Sequence, residues 1–178
     1  CSAVMMAGGS ITLNEVRPEQ LEEPLKQFEQ AGAVLEKDRE RLFISMKGRP
    51  APLNIATGPY PGFPTDMQSV MMAAASIADG TSRIQENVFE NRFCAAKELQ
   101  KLGAHIIIEN KLAVVDGVNT LKGTRVAAED LRGGAALAVA ALAADGTSFL
   151  DGYEHISRGY EDIRSDLAGA GARISLIG

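Results

Sequence analysis

The chain has 178 residues, 46% of them hydrophobic, with a formal net charge of -5 and a pI near 5.1. That apolar content can fill one compact core and excludes a disordered tail, while the acidic balance argues against a nucleic-acid surface, which needs clustered Lys and Arg to displace phosphate counterions. Cys1 and Cys94 are too few for a disulfide framework, no Cys or His cluster has metal-ligand spacing, no signal peptide is visible, and the longest apolar run, Ala135 to Ala144, is too short for a bilayer, so the expectation is a cytoplasmic protein with no membrane or metal partner.

Along the chain the dominant feature is internal repetition. Three segments, from Ala7, Ala78 and Ala144, each open on a glycine turn at Gly9, Gly80 or Gly146. Each then reads as an alternating strand followed by an amphipathic helix, predicted over Gln20 to Gln30, Arg92 to Leu102 and Gly159 to Ala168. Each helix stops at a glycine, Gly32, Gly103 or Gly171, and an apolar strand such as His105 to Glu109 follows. The opening and closing glycines are 23 residues apart in the first two segments and 25 in the third. A further helix precedes the second and third turns, predicted over Met67 to Ala78 and Leu131 to Ala144, and a strand precedes each helix around Leu53 to Thr57 and Thr124 to Ala128. One more strand, such as Lys111 to Val115, completes the unit. The alternation predicts an α/β (α+β) fold of βαβαββ units with pseudo-threefold symmetry, with repeats at about residues 1–50, 51–117 and 118–178. The first unit is cut short. Cys1 to Ala7 reads as the tail of its opening helix, with Val4 to Met6 as an exposed apolar seam, and the chain as a fragment of a longer polypeptide.

Four charges sit at matched places in the repeats where packing does not ask for them. Asp66 and Arg132 each lie 14 residues before a turn glycine, at the predicted start of the first helix; Arg92 and Arg158 each lie 12 after one, at the predicted start of the second. The first repeat has Leu21 at the latter place, so the fold does not require arginine there. Arginine opposes the helix dipole at an N-terminus, and its fork matches carboxylate and phosphate, so Arg92, Arg132 and Arg158 converging would make a pocket for a small polyanion with Asp66 as the base beside it. Other readings stay open at this point: Asp66 as a helix cap after Thr65, and the arginines as solvated residues, inter-repeat ion pairs or relics of duplication. The segment before Asp66, with Pro59, Pro61 and Pro64, reads either as a stiff surface connection or as a rigid support for a site.

Taken together, PGFPTDMQ, FENRF, EDLRGGAALAVAALAADGT and HISRGYEDI resemble the UDP-N-acetylglucosamine 1-carboxyvinyltransferase family, sibling to the shikimate-pathway enolpyruvyl transferase. The resemblance runs along essentially the whole chain. It implies one domain of an inside-out α/β barrel whose two domains face each other across a cleft. It also implies transfer of the enolpyruvyl group of phosphoenolpyruvate to the sugar 3-hydroxyl, releasing phosphate, with no cofactor. By the same resemblance Asp66 is the general base, Arg92 and Arg132 grip the enolpyruvyl carboxylate, Arg158 binds the phosphate region, Val88 with Phe89 touches the UDP-sugar, and Asp130 orients its neighbourhood.

Nothing here matches the family's mobile cysteine loop or amino-terminal lysine, so the isolated chain is expected to be inactive without the other domain. Cys94 reads as packed inside a helix, His105 as a strand residue and His155 as a loop residue, none of them catalytic. The alternatives are the shikimate 3-phosphate sibling, a non-catalytic paralogue that binds a nucleotide sugar or protein, and a ligand-free scaffold.

Overall fold

A computed structural model describes residues 1–177. At its centre three helices pack on one another: α1 (Ser2–Ala7), α3 (Gln68–Ala75) and α5 (Leu131–Ala143). Their residues are mostly small or unbranched, and Met71 to Ala75 and Ala135 to Ala140 are buried on all sides. A helix apolar around its whole circumference is stable only when fully enclosed, which is the position these runs take. Val4, Met5 and Met6 are buried against α3 and α5, so the predicted apolar seam is covered.

The sheets lie outside this helical centre. In the first unit β1 (Gly9–Asn14), β2 (Val34–Lys37) and β3 (Arg41–Met46) form an antiparallel sheet in the order β1-β3-β2. Its period-two pattern turns Leu42, Ile44 and Met46 inward. The second unit is complete: β4 (Asn54–Ala56), α3, β5 (Thr81–Gln85), α4 (Ala95–Lys101), β6 (His105–Glu109) and β7 (Leu112–Asp116) give the predicted βαβαββ order. Its mixed sheet runs β4-β5-β7-β6, with β4 parallel to β5 and the other pairs antiparallel. In the third unit β8 (Leu121–Lys122) and β9 (Arg125–Ala127) pair in parallel with β10 (Ala144–Asp145) and β11 (Phe149–Asp151).

Two predictions for the third unit fail. The helix predicted over Gly159 to Ala168 is two pieces, α6 (Tyr153–Ser157) and α7 (Ile163–Gly169). Gly159 lies between them, and a Cβ there would stand 2.5 Å from Leu131 Cδ2. Residues 172–177 form no strand, where the sequence predicted one after Gly171. In the first unit the helix starts as a 3₁₀ turn (Pro18–Leu21) before α2 (Glu22–Gln30).

Gly32, Gly103 and Gly171 all adopt φ near +98° (97°, 98° and 99°), the left-handed stop that the sequence predicted for each helix. Between units Arg49 acts as a clamp. Its Nε and Nη2 donate to the carbonyls of Ile77 (2.9 Å) and Ala78 (2.5 Å), and its Nη1 donates to Asn119 Oδ1 (2.6 Å).

Candidate active site

Asp66 sits in a 3₁₀ turn (Thr65–Met67) that runs into α3, and neither turn nor helix has a side-chain cap. Capping is therefore not its role. Its Oδ1 instead accepts from Arg132 Nε at 2.5 Å and pairs with Arg92 Nη2 at 3.7 Å. Arg132 is the second residue of α5, and its placement follows from the helix start: Asp130, the N-cap, accepts from the backbone N–H groups of Arg132 (2.8 Å) and Gly133 (2.9 Å). The hydrogen bond to Asp66 raises the Arg132 guanidinium above its ordinary value; burial opposes it, and the field of Asp66, Asp130 and Tyr160 adds to the rise. The arginine is fixed as a cation.

Arg92 is not at a helix start. It lies in the turn ahead of α4, after Asn91 at φ 57°, and its guanidinium covers the Phe89 ring at 4.6 Å. Arg158 is the C-cap residue of α6, because Gly152 at φ 77° begins that helix early. The dipole objection to arginine thus disappears at both places, and at Arg158 the helix end favours the charge. Arg158 is exposed and makes no ion pair among the described residues. The packing of Gly159 on Leu131 nevertheless brings its backbone to the start of α5. Of the four predicted charges, then, the structure joins Asp66, Arg92 and Arg132 and shows no ion pair of Arg158 with them.

Asp66 also lines a cleft of about 540 Å³ between the first unit and the proline-rich loop, with Leu21, Tyr60, Pro61 and half-exposed Val88 among its walls. The loop is rigidly held: Gly58 N–H donates to Phe63 O (2.9 Å), and Phe63 is buried. Of the remaining candidates, Cys94 is exposed at the N-cap of α4, where its thiol donates to Asn91 O (3.0 Å), rather than packed. His155 is in the last turn of α6 and His105 in β6. Among the described residues no three His, Cys, Asp or Glu side chains are placed to hold a metal.

Sequence reasoning overlooked Glu86. Its side chain is buried, yet Oε1 accepts from Thr57 Oγ1 (2.9 Å) and from the N–H groups of Val88 (2.9 Å) and Phe89 (3.1 Å), while Oε2 accepts from Thr65 Oγ1 (2.9 Å). Burial pushes this carboxyl up, but the Phe89 and Val88 amides and the two hydroxyls outweigh it and hold it below its ordinary value. The available signal was a Glu directly after the alternating strand Thr81–Gln85, at a place where the period-two pattern turns inward.

The fold and this site define a domain of the enolpyruvyl transferase type. Over 97% of this chain and 42% of the other, the structure superposes on the enolpyruvyl transferase NikO of Streptomyces tendae with a TM-score of 0.84 at 26% identity. It shares its fold with the EPSP synthase of Acinetobacter baumannii (TM-score 0.61, 18% identity, 85% of this chain and 38% of that one). The chain belongs to the EPSP synthase (3-phosphoshikimate 1-carboxyvinyltransferase) family, whose model matches residues 1–167. Similar curated relatives are UDP-N-acetylglucosamine 1-carboxyvinyltransferases. One, from Desulfofundulus thermocisternus, is 47% identical over 93% of this chain and 68% of its own length; another, from Xylella fastidiosa strain 9a5c, is 44% identical over 97% of this chain and 41% of its own length. The chain thus spans well under half of the Xylella protein.

Proposed function

We propose that this chain forms most of one domain of a two-domain, cytoplasmic carboxyvinyl transferase that moves the enolpyruvyl group of phosphoenolpyruvate to the 3-hydroxyl of UDP-N-acetylglucosamine, the first committed step of peptidoglycan synthesis. The three repeats at about residues 1–50, 51–117 and 118–178 are its building blocks, and the other domain supplies the rest of the site. The observation that carries this reading is the Asp66 carboxylate held between Arg132 and Arg92 at the edge of the cleft.

Each residue then has a distinct task. The Arg92 and Arg132 forks bind the enolpyruvyl carboxylate, a geometry that guanidinium groups match in bidentate fashion. An anion docking there competes with Asp66 for the same donors. Freed of those partners, its carboxylate is available to take the proton of the sugar hydroxyl as the oxygen bonds to C2 of phosphoenolpyruvate. A proton added at C3 gives a tetrahedral intermediate; loss of a C3 proton and departure of inorganic phosphate restore the double bond. Val88, at the cleft wall beside Asp66, contacts the UDP-sugar. Arg158, exposed and without an ion-pair partner among the described residues, meets the phosphate when the other domain closes over the site and excludes water.

The test is phosphate release from phosphoenolpyruvate and UDP-N-acetylglucosamine by the whole polypeptide, compared with Asp66→Ala. The variant is expected to lose about 10²- to 10⁴-fold in kcat, the range of a positioned general base. The family model is named for a shikimate enzyme, so shikimate 3-phosphate is the control acceptor. Saturation by that compound instead of the UDP-sugar, or no release at all, would overturn the reading.

A further inference from the structure

Glu86 touches neither the cleft nor the arginines, yet it is bonded to both segments that carry the site. One of these is the loop from Thr57 to Thr65, whose last residue precedes Asp66. The other is Val88 and Phe89, the second of which lies under the Arg92 guanidinium. Asn87 reinforces the junction, donating from its backbone N–H to Thr57 Oγ1 (2.9 Å) and from Nδ2 to Thr57 O (3.1 Å). A carboxylate with 1% of its surface exposed and four donors directed at it is fixed in place. Removing it would leave two backbone N–H groups and two hydroxyls without their acceptor.

We propose that Glu86 is a positioning residue that sets the distance between the Asp66 turn and the Val88–Arg92 segment, and with it the alignment of the base against the sugar hydroxyl and the enolpyruvyl carboxylate. The inference rests on the transferase reading for its kinetic consequences and on geometry alone for its structural ones. Thr65 is the arm toward the base. The Val88 and Phe89 amides are the arm toward the sugar contact and the Arg92 stack.

The hydrogen-bond geometry, rather than the negative charge, is what the position supplies. A glutamine keeps one oxygen for Thr57, Val88 and Phe89, and its amide can donate to the Thr65 hydroxyl, which accepts as readily as it donates. Glu86→Gln is therefore expected to stay within about threefold of the parent, whereas Glu86→Ala loses on the order of 10²-fold in kcat, the effect of about 1 Å of misplacement. Thr65→Val cuts only the arm to the base. It should lower kcat about tenfold without raising the KM for phosphoenolpyruvate, because Arg92 and Arg132 stay in place and lose only a competitor for their donors.

These variants are measured in the whole polypeptide by steady-state phosphate release, with crystal structures of the parent and of Thr65→Val. A parent-like kcat in Glu86→Ala, or a Glu86→Gln variant as slow as Glu86→Ala, would overturn the proposal. Should Glu86→Ala fail to fold, Thr65→Val decides: lowered kcat without a raised KM supports the proposal and a parent-like kcat refutes it. If the parent itself releases no phosphate, the transferase reading fails, and the positions of Asp66 in the two crystal structures decide the positioning role. Displacement of its carboxylate from Arg132 in Thr65→Val supports that role, and an unmoved carboxylate ends it.

Discussion

The second and third units descend from one repeated pattern and end differently. The second closes a four-stranded sheet over α4, and four residues before its stop glycine Leu99 is fully buried (0% exposed). In the third, the equivalent residue is Leu167, only partly buried on α7, and the outer helix is broken around Gly159. The arginines follow the same division. Arg92 stacks on Phe89 and pairs with Asp66, while Arg158 is exposed on the C-cap of α6. The second unit is built to hold its arginine still, and the third leaves its arginine free to meet something that arrives later.

The sharpest test of that division is Arg158→Ala in the whole polypeptide. With no ion pair among the described residues, its removal should leave unfolding free energy within about 0.5 kcal/mol of the parent. If it meets the phosphate on closure, kcat should fall by about 10²- to 10³-fold, the cost of losing one preorganised donor to developing charge. Chemical denaturation beside steady-state kinetics reads both, and a stability loss that accounts for the kinetic one would break the comparison.

Next in size is the pair of leucines. Leu99→Ala should destabilise the chain by about 3 kcal/mol, whereas Leu167→Ala, at a site open to solvent, should cost about 1 kcal/mol or less. Equal shifts of the denaturation midpoint would mean that α7 packs as tightly as α4.

The smallest effect concerns acid. Asp162 caps α7, accepting from Ser165 Oγ (2.6 Å) and Ser165 N–H (3.0 Å), with Arg164 at 3.2 Å. The Ser165 hydroxyl first, then Arg164 and the Ser165 amide, hold this carboxyl far below its ordinary value of 3.8. A carboxyl lowered by folding contributes its stability in full above that ordinary value and loses it as the pH falls through the folded one. Hydrogen exchange at the Ser165 amide should therefore be flat near neutrality and quicken only in strong acid relative to α4, whose N-cap Cys94 accepts no side-chain bond. Asp162→Asn should remove that acid limb.

Much of this was legible in the residues. The 23-residue spacing of glycines, the apolar runs at Met67 and Leu131 and the matched offsets of Asp66 and Arg132 are one-dimensional facts, and each maps onto a helix start, stop or core face whose cause is local. The continuous apolarity of Ala135 to Ala144 reads as a buried helix, and the structure encloses it as far as Ala140, with Ala141 to Ala144 only half-buried. Period and capping act over a few residues, so a sequence can state them. The βαβαββ order of the second unit followed from that reasoning, whereas the ion pair between Asp66 and an arginine of the next repeat was one of the readings it left open.

Other features were decided only when the units packed. Counting along the chain made Arg92 and Arg158 equivalent, but the first is fixed by Phe89 and Asp66, and the second by a glycine pressed on Leu131. Asp66 as a cap and Asp66 as a paired acid share one sequence, and the choice depended on where α5 places Arg132. Glu86 reads as an ordinary strand-end carboxylate until Thr57 and Thr65, 29 and 21 residues away, turn their hydroxyls to it. Partners so distant along the chain are brought together by burial of the core, a global free-energy balance that no local pattern of residues records.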